Sequence, residues 1–385
     1  MRIIGLFKPN LNKFILVFAI LSFSSAILFA NEPAKKADSE HADAIVEVQD
    51  STAVVAEKAP AAHENAEEEK FNPSELILEH IADSHDWHLW GHTSLPLPII
   101  LYTPKGLDVF SSSHFHHGEH PYTTANYTYK IEENKIVVLN AANEVDEAAT
   151  KTIIDISITK NVCSLLISVA LLLFIFLSVA NAYKNTVGKA PKGFQSMIEP
   201  IILFVRDDVA KPNLGKKYAK FMPFLLTVFF FIWINNMMGL IPFFPGGANV
   251  SGNIAFTMVL ALVTFIVITV NGGKVYWSHI FAPHVPWWLY PLLVPVEIFG
   301  MFTKPIALMI RLFANITAGH ILVLSLISLI FIFKSAAIAT VAVPFTVFIS
   351  VIELLVAFLQ AYIFTMLAAL FIGMAVEEPH AADHH

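Results

Sequence analysis

Cysteine is almost missing from this chain: Cys163 stands alone among 385 residues, so no disulfide framework can form within it. Charge is scarce as well. Asp, Glu, Lys and Arg make up 14% of the residues, whereas 56% are hydrophobic, 32 are Phe and the mean hydropathy is +0.62. That balance lies well outside the usual range for a soluble domain. No GxxxxGK[ST] phosphate loop, no GxGxxG and no HExxH occurs, which excludes the common nucleotide-binding and zinc-protease motifs. Nor does an internal repeat of the kind that builds inverted-repeat transporters stand out. The charge that is present is unevenly placed. Residues 31–150 hold 22 of the 31 acids but only 7 of the 24 bases, so the remainder is net basic, with its bases clustered in short loops.

The distribution divides the chain into four parts. Residues 1–30 have a short basic start (Arg2, Lys8, Lys13), an apolar run from Phe14 to Phe29 and small residues near Ala26 and Ala30, the pattern of a secretory signal peptide. An uncleaved membrane anchor is the alternative, and either form exports the next segment of the chain. Residues 31–70 are rich in Ala, Glu and Asp with few aromatics, a composition that cannot bury enough surface to fold alone, and are expected to be a disordered acidic tether. Residues 71–150 contain Trp87, Trp90, the run LPLPIIL and two alternating arms flanking Glu132-Glu133-Asn134, which predict a β-hairpin in a small exported periplasmic α+β cap. This cap carries His80, His85, His88, His92, His114, His116, His117 and His120. Histidine is a common metal ligand, and the His85/His88 or His88/His92 spacing would suit one helical face. The intervening Trp and Gly break such a helix, so a surface or pH-responsive role is expected and no metal site.

Residues 151–385 are expected to be an all-α polytopic membrane domain. A first span is predicted over 162–182, followed by Lys184, Lys189 and Lys192, which place that end in the cytoplasm. Residues 193–210 mix apolar and charged positions around Pro200 and suit an amphipathic helix lying in the membrane plane. Further spans are predicted over 221–240, 253–270, 291–331 and 341–375, giving five crossings plus one in-plane helix. The last two are too long for upright spans and must tilt or kink. The start is then outside and the C-terminus inside.

One residue dominates the longest apolar stretch. Arg311 sits in PLLVPVEIFGMFTKPIALMIRLFANITAGHILVLSLISLIF and stays charged at any accessible pH. A mid-membrane guanidinium costs from about 3 to over 10 kcal/mol, so it is read as functional. On a helical wheel Glu297, Lys304 and Arg311 share a stripe, with Asn315 about 40° away. Glu297 is fourteen residues off, roughly 21 Å along the axis, too far to be the counter-charge. The following stretch offers Glu353, with Gln360 on the same face, but Glu353 is equally well placed for His320. The main counter-charge of Arg311 is therefore inferred to come from another chain.

The run RLFANITAGH, preceded by VPVEIFGMFTKPIALMI and followed by LQAYIF, resembles the membrane-embedded stator subunit a of F-type ATP synthases. The resemblance covers about residues 165–378 and leaves out the first 150. It implies that Arg311 faces the ion-carrying carboxylate of a rotating c-ring, that Asn315 and Gln360 are the family's asparagine and glutamine beside it, and that Glu297 lies near the cytoplasmic access path. His320 and Glu353 match a titratable channel pair that many bacterial members carry in the reverse order. The INNMMGLIP run resembles an N-x-x-G-L-x-P signature in which some members have an acid where Gly239 stands. Asn236 there lines a wet path or is bonded to backbone, and Lys304 is a channel group or a snorkelling lysine.

The implied function is that of a non-catalytic, proton-translocating subunit without cofactor. Two offset half-channels would meet the ring on either side of Arg311, with His320, Glu353, Asn315 and Gln360 on the outer one and Glu297 on the inner one. The implied partners are c-ring subunits, the peripheral stalk subunit b, the soluble ATPase sector and membrane lipid, with no nucleic acid, in the bacterial inner membrane. A self-contained secondary transporter or ion channel, with Arg311 binding an anion, is the alternative.

Overall fold

The computed structural model describes residues 73, 77, 81–90, 93–118, 120–132, 134–185, 190–241, 244–283 and 285–376. The expected signal peptide and tether, together with His80 and His92, lie outside the described residues, as do the side chains of His88, His116 and His117.

The cap is built from short antiparallel strands. Strands β1 (Asp86–Trp90) and β2 (Thr93–Pro96) pair with each other. Strand β3 (Pro98–Thr103) pairs along its length with β4 (Gly106–Ser111), and β5 (Tyr122–Thr123), β6 (Thr128–Glu132) and β7 (Lys135–Leu139) form a third small sheet. The β6–β7 hairpin turns at the expected place, with Asn134 at φ +63°, a left-handed conformation that asparagine tolerates. Helix α1 (Glu147–Lys151) is capped by Asp146, which accepts from the Ala149 N–H at 2.9 Å. The cap runs on past residue 150, because β8 (Ile154–Asp155) returns to pair with β3. Its core is Ile99, Leu101, Phe115, Tyr129 and Val138. No helix forms at His88, in line with the helix-breaking Trp and Gly around it. The segment from Asp86 to Trp90 is a strand, whose alternation puts neighbouring side chains on opposite faces, and no group of three metal-ligating side chains occurs among the described residues.

From residue 160 the chain is helical almost throughout: α2 (Lys160–Asn185), α3 (Phe194–Phe204), α4 (Lys211–Leu214), α5 (Tyr218–Leu240), α6 (Ile254–Val270), α7 (Lys274–Phe281), α8 (Tyr290–Phe333) and α9 (Ala336–Val376). Four helical stretches (160–184, 194–240, 287–333 and 336–376) are long and apolar enough to cross a membrane. Helix α6 has 17 residues and bends by 101° into α7. The stretch from α3 to α5 passes through a π-helical turn at Val205–Ala210 and breaks at Gly215, whose φ of +51° is a left-handed conformation that suits glycine. Along it Ile198, Ile202, Val205, Val209 and Leu214 are buried at helical spacing while Phe194 and Met197 are exposed, so the segment is amphipathic.

Helix α5 is the centre of the bundle. Every residue from Phe221 to Ile232 is buried, and its phenylalanines meet rings on other helices, Phe230 against Phe176 of α2 and Phe231 against Phe256 of α6. Helices α8 and α9 instead form a hairpin linked by Lys334 and Ser335. At 44 and 41 residues they extend about 66 and 62 Å, twice the roughly 30 Å of bilayer hydrocarbon. Helix α9 packs through Ala357, Ala361, Ala368, Ala369 and Ala375, small residues that let helix backbones approach without gaps. Its last carbonyls are satisfied from outside the helix: Gly273 N donates to Ala375 O at 2.8 Å and Lys217 Nζ to Val376 O at 2.8 Å.

Gly373 lies directly against the carbonyl of Asn213, where an added Cβ has no room. Gly373→Ala is expected to destabilise the protein by about 1–3 kcal/mol through overpacking. Gly300→Ala, on the neighbouring helix with nothing within 4 Å, is expected to be neutral or slightly stabilising. Thermal melting of the purified variants checks the contrast.

Candidate functional site

The polar residues of α8 and α9 meet in antiparallel order. Toward one end, Lys304 Nζ lies 5.3 Å from the centre of the Phe371 ring. In the middle, Asn315 Nδ2 donates to Gln360 Oε1 at 2.8 Å. Beyond that, the Glu353 carboxylate packs onto the bare backbone of Gly319, in the space a side chain there would fill. Gln360 is 1% exposed, and its Nε2 has no hydrogen-bond partner among the described residues; neither does Glu353 Oε1. Buried polar atoms of this kind call for water or a partner's group.

Helix α5 completes the far end of this row. Gly239 leaves room beside His320, whose Nε2 is 3.8 Å from where a Cβ on Gly239 would stand, with the Ala248 carbonyl at 3.4 Å. Asn236 is 2% exposed and donates through Nδ2 to the Ala357 carbonyl of α9 at 3.2 Å, so it joins helices through backbone, while its Oδ1 has no partner among the described residues. Thr317 Oγ1 reaches the Gly252 carbonyl at 3.4 Å, bringing the α5–α6 loop to the same place. His320, Glu353, Asn315, Gln360 and Asn236 are thus gathered where α5, α8 and α9 converge.

Arg311 lies one turn from Asn315, on the surface of α8. It is exposed and makes no ion pair or hydrogen bond with any described residue. Ala307, Arg311, Ala314, Asn315 and Ala318 form one exposed stripe on α8, and Ile306 and Ile310 flank it. A lone guanidinium in a row of small residues leaves space for the backbone of another helix. Glu297 is half-buried fourteen residues away, apart from the cluster. Two contributors escaped the sequence analysis. Gly319, which seats Glu353, adjoins His320, and its lack of a side chain one turn beyond Asn315 was the available sign. Thr317 carried none.

The chain matches the family model described as ATP synthase A chain over residues 162–373. A second family model, described as a domain of unknown function (DUF8433), matches residues 76–156. The chain is similar to ATP synthase subunit a of Chloroherpeton thalassium, 49% identical over 237 residues, which cover 60% of this chain and 70% of that one. It is 48% identical over 239 residues to ATP synthase subunit a 2 of Chlorobaculum tepidum, covering 60% and 66%, and 44% identical over 239 residues to ATP synthase subunit a of Myxococcus xanthus, covering 60% and 77%.

Asn315→Leu should strand the buried Gln360 side chain and cost about 1–3 kcal/mol. Asn315→Leu combined with Gln360→Leu, which removes both partners, should recover most of that loss. Melting temperatures of the two variants and the parent decide it.

Proposed function

Because this chain belongs to the ATP synthase A chain family, a non-catalytic membrane subunit of the F-type enzyme that supplies the stator's proton channel, we propose that Arg311 is the fixed charge past which the rotor carboxylate moves. The observation that carries this is the exposed guanidinium with no partner among the described residues, set in a stripe of alanines. An opposite charge nearby lowers a carboxyl pKa, so Arg311 keeps the passing carboxylate ionised and drives its proton off. The same positive charge repels a proton that would cross without riding the ring.

The cluster at the α5–α8–α9 junction forms the outer half-channel. Glu353 and His320 take up and release protons there, and Asn315, Gln360 and Asn236 line the path with groups that hold water. Glu297 lies on the inner half-channel, with Lys304 between it and Arg311. The two paths reach the ring at offset positions, so a proton must ride the rotor nearly a full turn to pass between them. The gradient supplies about 2.3 kcal/mol per charge per 100 mV, and a direct leak at Arg311 would dissipate it.

In this reading α2, α5, α6, α8 and α9 cross the bilayer of a bacterial inner membrane, and α3 and α4 lie along its cytoplasmic face. The cap is periplasmic, behind a cleaved signal peptide, and the C-terminus is cytoplasmic. The c-ring, the peripheral stalk subunit b and, through the complex, the soluble ATPase sector are the partners.

Arg311→Ala should abolish proton-driven ATP synthesis, a fall of at least about a hundredfold, in vesicles where the c-ring still co-purifies. Arg311→Lys, which keeps the charge but not the planar fork, should also be severely impaired. Normal synthesis in Arg311→Ala vesicles would overturn the assignment.

A further inference from the structure

The cap is joined to the membrane helices at two places. At the head of α2, Lys160 N donates to Ser84 O at 2.8 Å, Lys160 Nζ to Ala82 O at 3.1 Å and Asn161 N to Asp83 Oδ1 at 3.0 Å. The adjoining cap strand is pinned to the same point, with His85 Nε2 and Asp155 Oδ2 3.4 Å apart. The second junction is aromatic. Trp87 is 2% exposed, belongs to the hydrophobic core of the membrane helices rather than to that of the cap, and packs edge-on against Phe244 with ring centroids 5.1 Å apart.

Phe244 lies in the loop between α5 and α6, and residues 244–253 run directly over the cluster. Gly247 N donates to Met238 O at 3.3 Å, the Ala248 carbonyl closes on Gly239 beside His320, and the Gly252 carbonyl accepts from Thr317. The loop has no helix or strand of its own, yet Ala248, Asn249, Val250 and Ser251 are all buried. Asn249 Nδ2 and Ser251 Oγ are buried with no hydrogen-bond partner among the described residues, and an ordered water would satisfy such atoms. Internal hydrogen bonds shape the loop, from Val250 N to Ala248 O at 3.0 Å, Gly252 N to Asn249 Oδ1 at 3.0 Å and Asn253 N to Val250 O at 3.2 Å, so the groups packed on it position it as a unit. From the cap side, that group is Trp87.

We propose that the cap is a positioning element of the outer half-channel: through Trp87 on Phe244 it holds loop 244–253 over the end of α5 and the middle of α8 and thereby sets water access to His320 and Glu353. This gives a role to the segment that the family model of unknown function matches. It rests on the half-channel reading above. Trp87 acts through the loop.

The test uses the assembled ATP synthase in spheroplasts, with Cys163→Ser removing the native thiol and Ser251→Cys placing a reporter in the loop. Ser251 is 1% exposed, so a membrane-impermeant maleimide should label the reporter slowly in the parent. Trp87→Ala should raise the labelling rate about tenfold and lower proton-driven ATP synthesis several-fold, with the c-ring still co-purifying. Trp87→Phe should restore both. Labelling or synthesis within about twofold of the parent in Trp87→Ala would overturn the proposal. Should Trp87→Ala fail to assemble, Phe244→Leu is judged by the same two readouts. The labelling rate reports on the cap and loop alone, whereas normal synthesis in Arg311→Ala would remove the half-channel reading, so the two failures are distinguishable.

Discussion

A positive charge without a counter-charge in its own described surroundings governs the rest of this structure. Arg311 cannot neutralise itself, and on an apolar face in lipid it is expensive to leave bare. Most proteins would bury such a group against an acid from the same chain. Here the carboxylates of the last two helices are held away from it: Glu297 fourteen residues back along α8, Glu353 on Gly319 beyond Asn315. The stripe that carries Arg311 is mostly alanine, so a second helix can come close enough for its own acid to complete the pair, and no acid among the described residues competes for it.

The remaining architecture leaves that stripe open. Helix α5 is buried on all sides and anchors the bundle, leaving the α8–α9 hairpin on one flank with its apolar face outward. The hairpin is kept in register by unlike contacts along its length: Lys304 on Phe371, Asn315 on Gln360 and Glu353 on Gly319. The polar contacts lie to one side of Arg311 and the lysine to the other, so the arginine sits between two chemically different environments. A residue so placed can separate two aqueous paths without a gate that moves.

Much of the membrane part was legible because length and hydropathy leave few options in lipid. The spans expected at 162–182 and 221–240 correspond to α2 and α5, whose ends differ from expectation by a few residues. The isolation of Arg311 from Glu297 followed from helical rise alone. What periodicity could not show is how helices far apart in sequence meet. That Gly319 receives Glu353, that Gly239 faces His320 and that Asn236 reaches the Ala357 carbonyl all depend on helix packing, and a glycine announces only that space is wanted, not by whom. The cap was harder still. Its β6–β7 hairpin was readable from alternation and a turn, but the closure of β8 on β3 spans about fifty residues. Trp87 looked like an ordinary cap residue until its ring was found against Phe244.

If the stripe around Arg311 is the track of a rotor helix, disulfide trapping will capture the two helices together. In assembled complexes lacking Cys163, Ala314→Cys and Ala318→Cys should each cross-link to single cysteines placed around the ring carboxylate, and Val347→Cys, exposed on α9 away from the stripe, should not. Rapid cross-linking at both alanines would support the account. No cross-link at either alanine in a complex that retains its ring, with capture at Val347→Cys instead, would contradict it.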